Sequence, residues 1–448
     1  MKPIRAVTLA FITFILVLII FNRFSWKENN VFQWDQGGYY RYLPALFIYH
    51  DVADFRSYAV MNRTYGISAN NDSFALHPQA FHQRRLNKYP VGVSLFECIP
   101  FFIAHMMSLH SNQYPPDGYS PYYRLLISLG AVLGVILGLW FTWNLLRRYY
   151  SEWVCAISII LILFGTNLYN YTVWDIGMSH PYSFFLLAAL LYCTDSWYRR
   201  PERVYLLAIG FIYGLMLITR PTNAMALLFP LFWTIDGFPL FKDRLALFKT
   251  KIPSIALAIL SCLLVCLIQM WYWKYATGHW IYYSYEKEGF EFKHPQILNG
   301  LFSFRKGWFI YTPMAFLIVA GIVPLYRAQR RQALLLLAYL FLMIFVVFSW
   351  GQWYYGGSFG SRVMIDTYPV LCLALAALIH QAFHSRKAIR YPILLLAILF
   401  LVLNLWQTYQ FNIGIIPMDH NTAAYYKRVF FKLEKNQEDD RIFHDLNP

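Results

Sequence analysis

The sequence predicts an all-α, polytopic membrane protein: a helical bundle of about eleven spans, with interfacial helices in its first large loop. Three observations predict it. The 448 residues are 58% apolar and only 14% charged, whereas a soluble chain of this length carries roughly twice the charge. The apolar residues gather in runs long enough to cross a ~30 Å hydrocarbon layer. Aromatic residues make up 20% of the chain, and Tyr and Trp crowd the ends of those runs, as in the belts at membrane–water interfaces.

Candidate spans cover 4–24, 90–109, 122–146, 152–170, 181–198, 203–219, 221–236, 252–275, 308–326, 332–350, 366–383 and 391–409. The first has a basic start but no small-residue cleavage site before Trp26, so it reads as a retained helix. The net charge of +15 does not point to nucleic acid, because the basic residues form no single patch. They lie in every second connection: Arg147/Arg148, Arg199/Arg200/Arg203, Lys242/Arg244/Lys249/Lys251, Arg327/Arg330/Arg331 and Arg386/Lys387/Arg390. Those five loops hold 15 Lys and Arg, whereas 171–180 holds none and 351–365 only Arg362. The positive-inside bias places the five basic loops in the cytoplasm.

Lys2 and Arg5 belong there too, which creates a parity conflict if all twelve runs cross. The stretch 90–109 is the weakest, being interrupted by Glu97, Pro100 and His105, and Glu97 facing lipid would cost several kcal/mol. Reading 90–109 as interfacial leaves eleven spans, with the N-terminus inside and the C-terminus outside. The competing twelve-span reading puts the N-terminus and loop 25–89 each on the opposite side from this. On the eleven-span reading, loop 25–89, loop 171–180, loop 276–306, loop 351–365 and the tail 410–448 share the extracytoplasmic face. These segments also carry the acids, histidines and glycines. A transporter more often places charge mid-helix, and the chain shows no internal repeat.

The first loop opens Trp34-Asp35-Gln36-Gly37-Gly38-Tyr39-Tyr40. Asp35 reads either as a general base or as the N-cap of an aromatic helix over 39–49; the two glycines let backbone approach a ligand closely. His50, Asp51, His77 and His82 follow without a standard metal spacing, and no metal site is predicted. The loop closes on Arg84-Arg85-Leu86-Asn87-Lys88-Tyr89-Pro90, whose basic groups suit a phosphate or anionic lipid at headgroup depth. Asp175 and His180 lie in a short connection where an acid and an imidazole are costly unless used; Ser179 could cap the next helix. Arg220 sits at an external helix end, suited to phosphate or to snorkelling. Glu288, Arg305 and Arg362 complete the candidate substrate-binding set, Arg362 beside a Gly356-Gly357-Ser358-Phe359-Gly360 turn that could form an anion nest. The six cysteines all lie in apolar segments, so neither disulfide nor zinc is implied.

Four features resemble the GT-C superfamily of membrane glycosyltransferases, specifically its bacterial protein O-mannosyltransferase and lipid A aminoarabinose transferase branch. Asp35 follows the first span. Lys88-Tyr89-Pro90 leads an interfacial helix. Gly165-Thr166-Asn167 through Met178-Ser179-His180-Pro181-Tyr182-Ser183-Phe184-Phe185 is similar to the family's third-to-fourth span junction, and Gly214-Leu215-Met216-Leu217-Ile218-Thr219-Arg220-Pro221 to its Gly-Leu…Leu-Thr-Lys element. The resemblance implies a transmembrane domain over 1–409, with 25–110 as first external loop and 410–448 as an extracytoplasmic tail. It also implies transfer of a sugar of hexosyl or mannosyl type, from a polyprenyl-phosphate donor to a lipid, glycan or protein hydroxyl, outside a bacterial inner membrane. On it, Asp35 becomes the catalytic base, Lys88 with Tyr89 and Arg220 the phosphate contacts, and Asp175 and His180 flank the place of the second acid. A divalent cation is left open as cofactor. The alternatives are a flippase of lipid-linked precursors and a glycan ligase using a lipid pyrophosphate.

Overall fold

A computed structural model describes residues 2–23, 29–67, 75–79, 81–233 and 241–445. Almost all of its regular structure is helical: α1 (Lys2–Arg23), α2 (Trp34–Tyr40), α3 (Tyr42–Phe47), α4 (Arg56–Tyr65), α5 (Gly92–Leu109), α6 (Pro121–Leu146), α7 (Glu152–Phe164), α8 (Leu168–Val173), α9 (Ser179–Arg199), α10 (Arg203–Thr219), α11 (Leu228–Phe232), α12 (Phe241–Thr250) and α13 (Ile252–Thr277). After these come α14 (Ile297–Phe302), α15 (Trp308–Tyr311), α16 (Met314–Ala320), α17 (Ile322–Ala328), α18 (Arg330–Val347), α19 (Tyr368–His384), α20 (Lys387–Asn412), α21 (Ala423–Val429) and α22 (Gln437–Asp445). One antiparallel hairpin pairs β1 (Leu76–Pro78) with β2 (Arg85–Asn87), Leu76 opposite Asn87.

Seven stretches among the described residues are long and apolar enough to cross a membrane, namely α1, α5, α6, α13, α18, the segment 362–384 and α20. Shorter apolar helices account for most of the remaining candidate spans. Helix α1 shows how they face their surroundings. Val7, Phe11, Phe14, Leu18 and Phe21 are exposed on one stripe while Leu9, Ile12, Leu16 and Ile20 are buried on the other. An apolar stripe left outside at helical spacing belongs against lipid. The protein is an integral, multi-pass membrane protein.

Several candidate spans are not single helices. Residues 152–170 break at Gly165, Thr166 and Asn167, where the Thr166 hydroxyl turns back onto Ile162 O. The 308–326 segment divides at Thr312-Pro313 and again at Gly321, whose Cα lies against the Ala374 carbonyl. The 221–236 segment begins as a 3₁₀ turn after Pro221 before α11; its positions 234–236, like 446–448 of the tail, fall outside the described residues. Helix α5, in contrast, is one continuous helix. The penalty held against its crossing does not arise, because Glu97 is 2% exposed and faces protein.

By contacts the chain forms two compact units: one of Met1–Ala6, Thr142–Asn170 and Glu288–Pro448, the other of Val7–Phe141 and Tyr171–Lys287. In the first, α19 is buried almost throughout, and the tail is tied down by its last helices. Asp439 is fully buried between Arg428 and Lys432, and Gln410 of α20 donates to Val429, Phe430 and Lys432 carbonyls.

In the second unit α10 packs along α13, α9 and α5. Gly210 and Gly214 make this possible. A Cβ at Gly210 would lie 2.0 Å from the Ala258 carbonyl oxygen, and one at Gly214 would lie 2.8 Å from that of Cys262. Small residues four apart let helix backbones close together in a membrane, where no hydrophobic drive separates helix from lipid. Gly210→Ala is therefore expected to lower stability in detergent by about 1–3 kcal/mol. Gly289→Ala, at a position with nothing within 4 Å, should leave the thermal midpoint unchanged.

Candidate functional site

In the second unit, five of the candidate residues, Lys88, Tyr89, Asp175, His180 and Arg220, accompany the short helix that carries a sixth, Asp35. Helix α2 starts at Trp34, which sits in the left-handed region at φ 51°, so Asp35 falls in its first turn and no side chain caps its end. The capping role open to Asp35 is not what the structure shows. The helix runs through Gly37 and Gly38, and three of its side chains reach three different segments. Asp35 accepts a hydrogen bond from the Tyr89 hydroxyl. Gln36 donates through Nε2 to Asp175. Tyr39, one turn beyond Asp35, donates to Ser179 Oγ at 3.1 Å.

The glycines serve protein rather than ligand approach. A Cβ at Gly38 would lie 2.1 Å from Tyr89 Cδ2, so the ring rests directly on the α2 backbone. Tyr39 meets the same ring edge-on, at 4.9 Å between centroids. Asn87 donates to the Gly38 carbonyl at 2.7 Å, and Tyr42 donates to the Tyr89 carbonyl. Tyr89 is thereby fixed on both its backbone and its ring. Burial, followed by the neighbouring Asp35 charge, pushes its hydroxyl well above the ordinary tyrosine value. Tyr89 therefore stays protonated and donates to Asp35.

Lys88 is 7% exposed. Its Nζ lies 5.5 Å from the Tyr89 ring centroid and 5.7 Å from that of Tyr285, within cation–π range. Its backbone is pinned by an N–H bond to Ala75 O and by Ser284, which donates to its carbonyl.

Ser179 is the first residue of α9, whose cap position is Met178; its hydroxyl does not cap the helix. It receives Arg220 Nη1 at 3.1 Å as well as Tyr39. The same guanidinium reaches His180 Nε2 at 3.5 Å. A guanidinium only donates, so Nε2 accepts in this contact. Arg220 is half-buried at the junction between the end of α10 and the 3₁₀ turn that opens at Pro221.

The remaining three candidates lie in the first unit. Arg305 makes a bidentate pair with Asp419 at 2.7 and 2.9 Å and stacks on Tyr354. Beside it Lys306, 2% exposed, donates to the carbonyls of Ser358 and Met418. Burial pushes the Lys306 amine down to about 7; Asp419 opposes that shift, and Arg362 and Arg305 add to it. In the Gly356–Arg362 turn the amide of Ser358 donates to Met418 and that of Arg362 to Gly360. Glu288 lies half-buried on the connection before α14.

The histidines of the first loop disperse: His77 pairs with Glu286 at 2.8 Å, while His50 turns to Leu46 O. Among the described residues no three of His, Cys, Asp and Glu gather as a metal set. Gln36, Tyr39, Asn87, Ser179 and Glu97 were not singled out as site residues from sequence. The one available signal was helical spacing, which puts Asp35 and Tyr39 on one face only if Gly37-Gly38 is read as helix.

No family model and no curated protein sequence matches the chain. Among solved structures it is similar to the apo oligosaccharyltransferase of Archaeoglobus fulgidus, with a TM-score of 0.52 and 12% identity over 99% of this chain and 60% of that one. It is also similar to ArnT of Cupriavidus metallidurans bound to undecaprenyl phosphate, with a TM-score of 0.49 and 12% identity over 92% and 73% of the two chains. The chain spans 60% of the length of that oligosaccharyltransferase. The architecture common to this chain and the oligosaccharyltransferase is that of the GT-C membrane glycosyltransferases, and this chain has the GT-C fold.

Proposed function

We propose that the chain is a glycosyltransferase that moves a sugar from a polyprenyl-phosphate donor to an acceptor hydroxyl of a lipid, glycan or protein. The observation that carries this reading is the pairing of Asp35 with Tyr89 beside the buried cation Lys88. The acceptor oxygen bonds to the anomeric carbon as the bond from that carbon to the phosphate oxygen breaks. The polyprenyl phosphate leaves with the electron pair, and the acceptor proton passes to Asp35. Tyr89 holds the carboxylate by donating to it. Lys88 and Arg220 offer positive charge to the departing phosphate. Glu288, Arg305 and Arg362 are proposed as further substrate contacts on the strength of the sequence. The active face is proposed to be extracytoplasmic, in a bacterial inner membrane, from the alternation of basic loops.

The test is release of free polyprenyl phosphate from a synthetic polyprenyl-phosphate hexose by the purified protein in liposomes with an acceptor alcohol. A flippase would move that lipid between leaflets and leave it uncleaved. Lys88→Met is expected to lower kcat/KM for the donor by about 10- to 100-fold, the range for losing one charged hydrogen bond. An unchanged kcat/KM would remove Lys88 from the phosphate site.

A further inference from the structure

The sequence made Glu97 a liability; the structure makes it the inner member of the site. Glu97 lies on α5, and its Oε1 receives the Tyr182 hydroxyl at 3.4 Å. Its Oε2 is fully buried without a hydrogen-bond partner, and so is Oε1 of Gln36. No cation among the described residues pairs with Glu97. Both side chains surround Gly177, which adopts φ +89°: a Cβ there would lie 3.4 Å from Gln36 Cβ and Cγ and 3.8 Å from Glu97 Oε1. The two side chains thus approach each other around Gly177, and each carries a buried acceptor that is costly when unsatisfied. One proton on Glu97 satisfies both, because a protonated carboxyl has an O–H to give to an amide oxygen.

We infer that Glu97 carries its proton and donates it as a hydrogen bond to Gln36 Oε1, making Glu97 and Gln36 positioning residues for Asp175. The chain of donors runs from the Tyr182 hydroxyl to Glu97, from Glu97 to Gln36 Oε1, and from Gln36 Nε2 to Asp175. An amide has one accepting and one donating end. Holding the oxygen inward by Glu97 turns the NH₂ outward onto Asp175, where it donates to Oδ1. For its activity arm this inference rests on the proposed sugar transfer.

Two measurements test it, one independent of turnover. Infrared difference spectra between wild type and Glu97→Gln should show loss of a protonated-carboxyl carbonyl band; spectra without that loss would show an ionised Glu97 and overturn the inference. In the transfer assay Glu97→Gln, whose amide also donates to Gln36 and accepts from Tyr182, should stay within about threefold of wild type. Glu97→Leu and Gln36→Met should each fall about 10- to 100-fold through misplacement of Asp175. A Glu97→Gln variant as impaired as Glu97→Leu would mean that the carboxylate itself is required. Should the wild type transfer no sugar, the functional reading falls while the infrared result still decides the proton on Glu97.

Discussion

Asp35→Asn is expected to lower turnover of a polyprenyl-phosphate hexose by about 10²- to 10⁴-fold, the contribution of one positioned base, without weakening donor binding. The substitution is nearly isosteric, and Asn Oδ1 can still accept from Tyr89, so the site keeps its shape. The amide has no basicity with which to take the acceptor proton. Removing a negative charge from the site cannot weaken the attraction of the proposed Lys88 contact for the donor phosphate, so affinity should hold or rise. Single-turnover release of polyprenyl phosphate reads the first effect, and equilibrium binding of polyprenyl phosphate in nanodiscs reads the second. Turnover near the wild-type level would dismiss Asp35 as the base.

Gly38→Ala should be comparably damaging although it changes no functional group. The added methyl would lie 2.1 Å from Cδ2 and 2.4 Å from Cε2 of Tyr89, well inside contact distance. The ring has little freedom to retreat, being edge-on to Tyr39 and joined by its hydroxyl to Asp35. Overpacking of this kind costs about 1–3 kcal/mol, and a displacement near 1 Å at the base can cost about 10²-fold in rate. Thermal unfolding in detergent should show the first loss and the transfer assay the second. A double-mutant cycle with Tyr89→Ala separates them. The stability penalty of Gly38→Ala should vanish in that background, while activity stays low because Asp35 has lost its donor. A penalty that persists once the Tyr89 ring is gone would place the clash elsewhere.

Membrane character was legible because it depends on run length and composition alone, which need no tertiary information. Interrupted spans were less legible. Apolar periodicity continues through Gly165-Thr166-Asn167 and through Thr312-Pro313, yet each stretch breaks into separate helices. Six of the candidate site residues fall in the same unit, Asp35, Lys88, Tyr89, Asp175, His180 and Arg220, and direct or one-residue links tie them to α2. The links themselves were not legible. Gln36 is 139 positions from Asp175, and Gly37-Gly38 discourages a helical reading of the segment that carries it. Glu97 was misjudged for a simpler reason: sequence shows that a carboxyl lies in an apolar run but not which way it faces.

One consequence of α2 concerns how changes within it combine. Its seven residues hold Tyr89, Asp175 and Ser179 at once, so the short helix acts as a common axle and not as a row of separate pegs. A rotation that improves one grip must disturb the other two. Substitutions at Asp35, Gln36 and Tyr39 should therefore be strongly non-additive, the second loss costing far less than the first. Altered variants of this chain would more readily vary the segments that α2 touches than α2 itself.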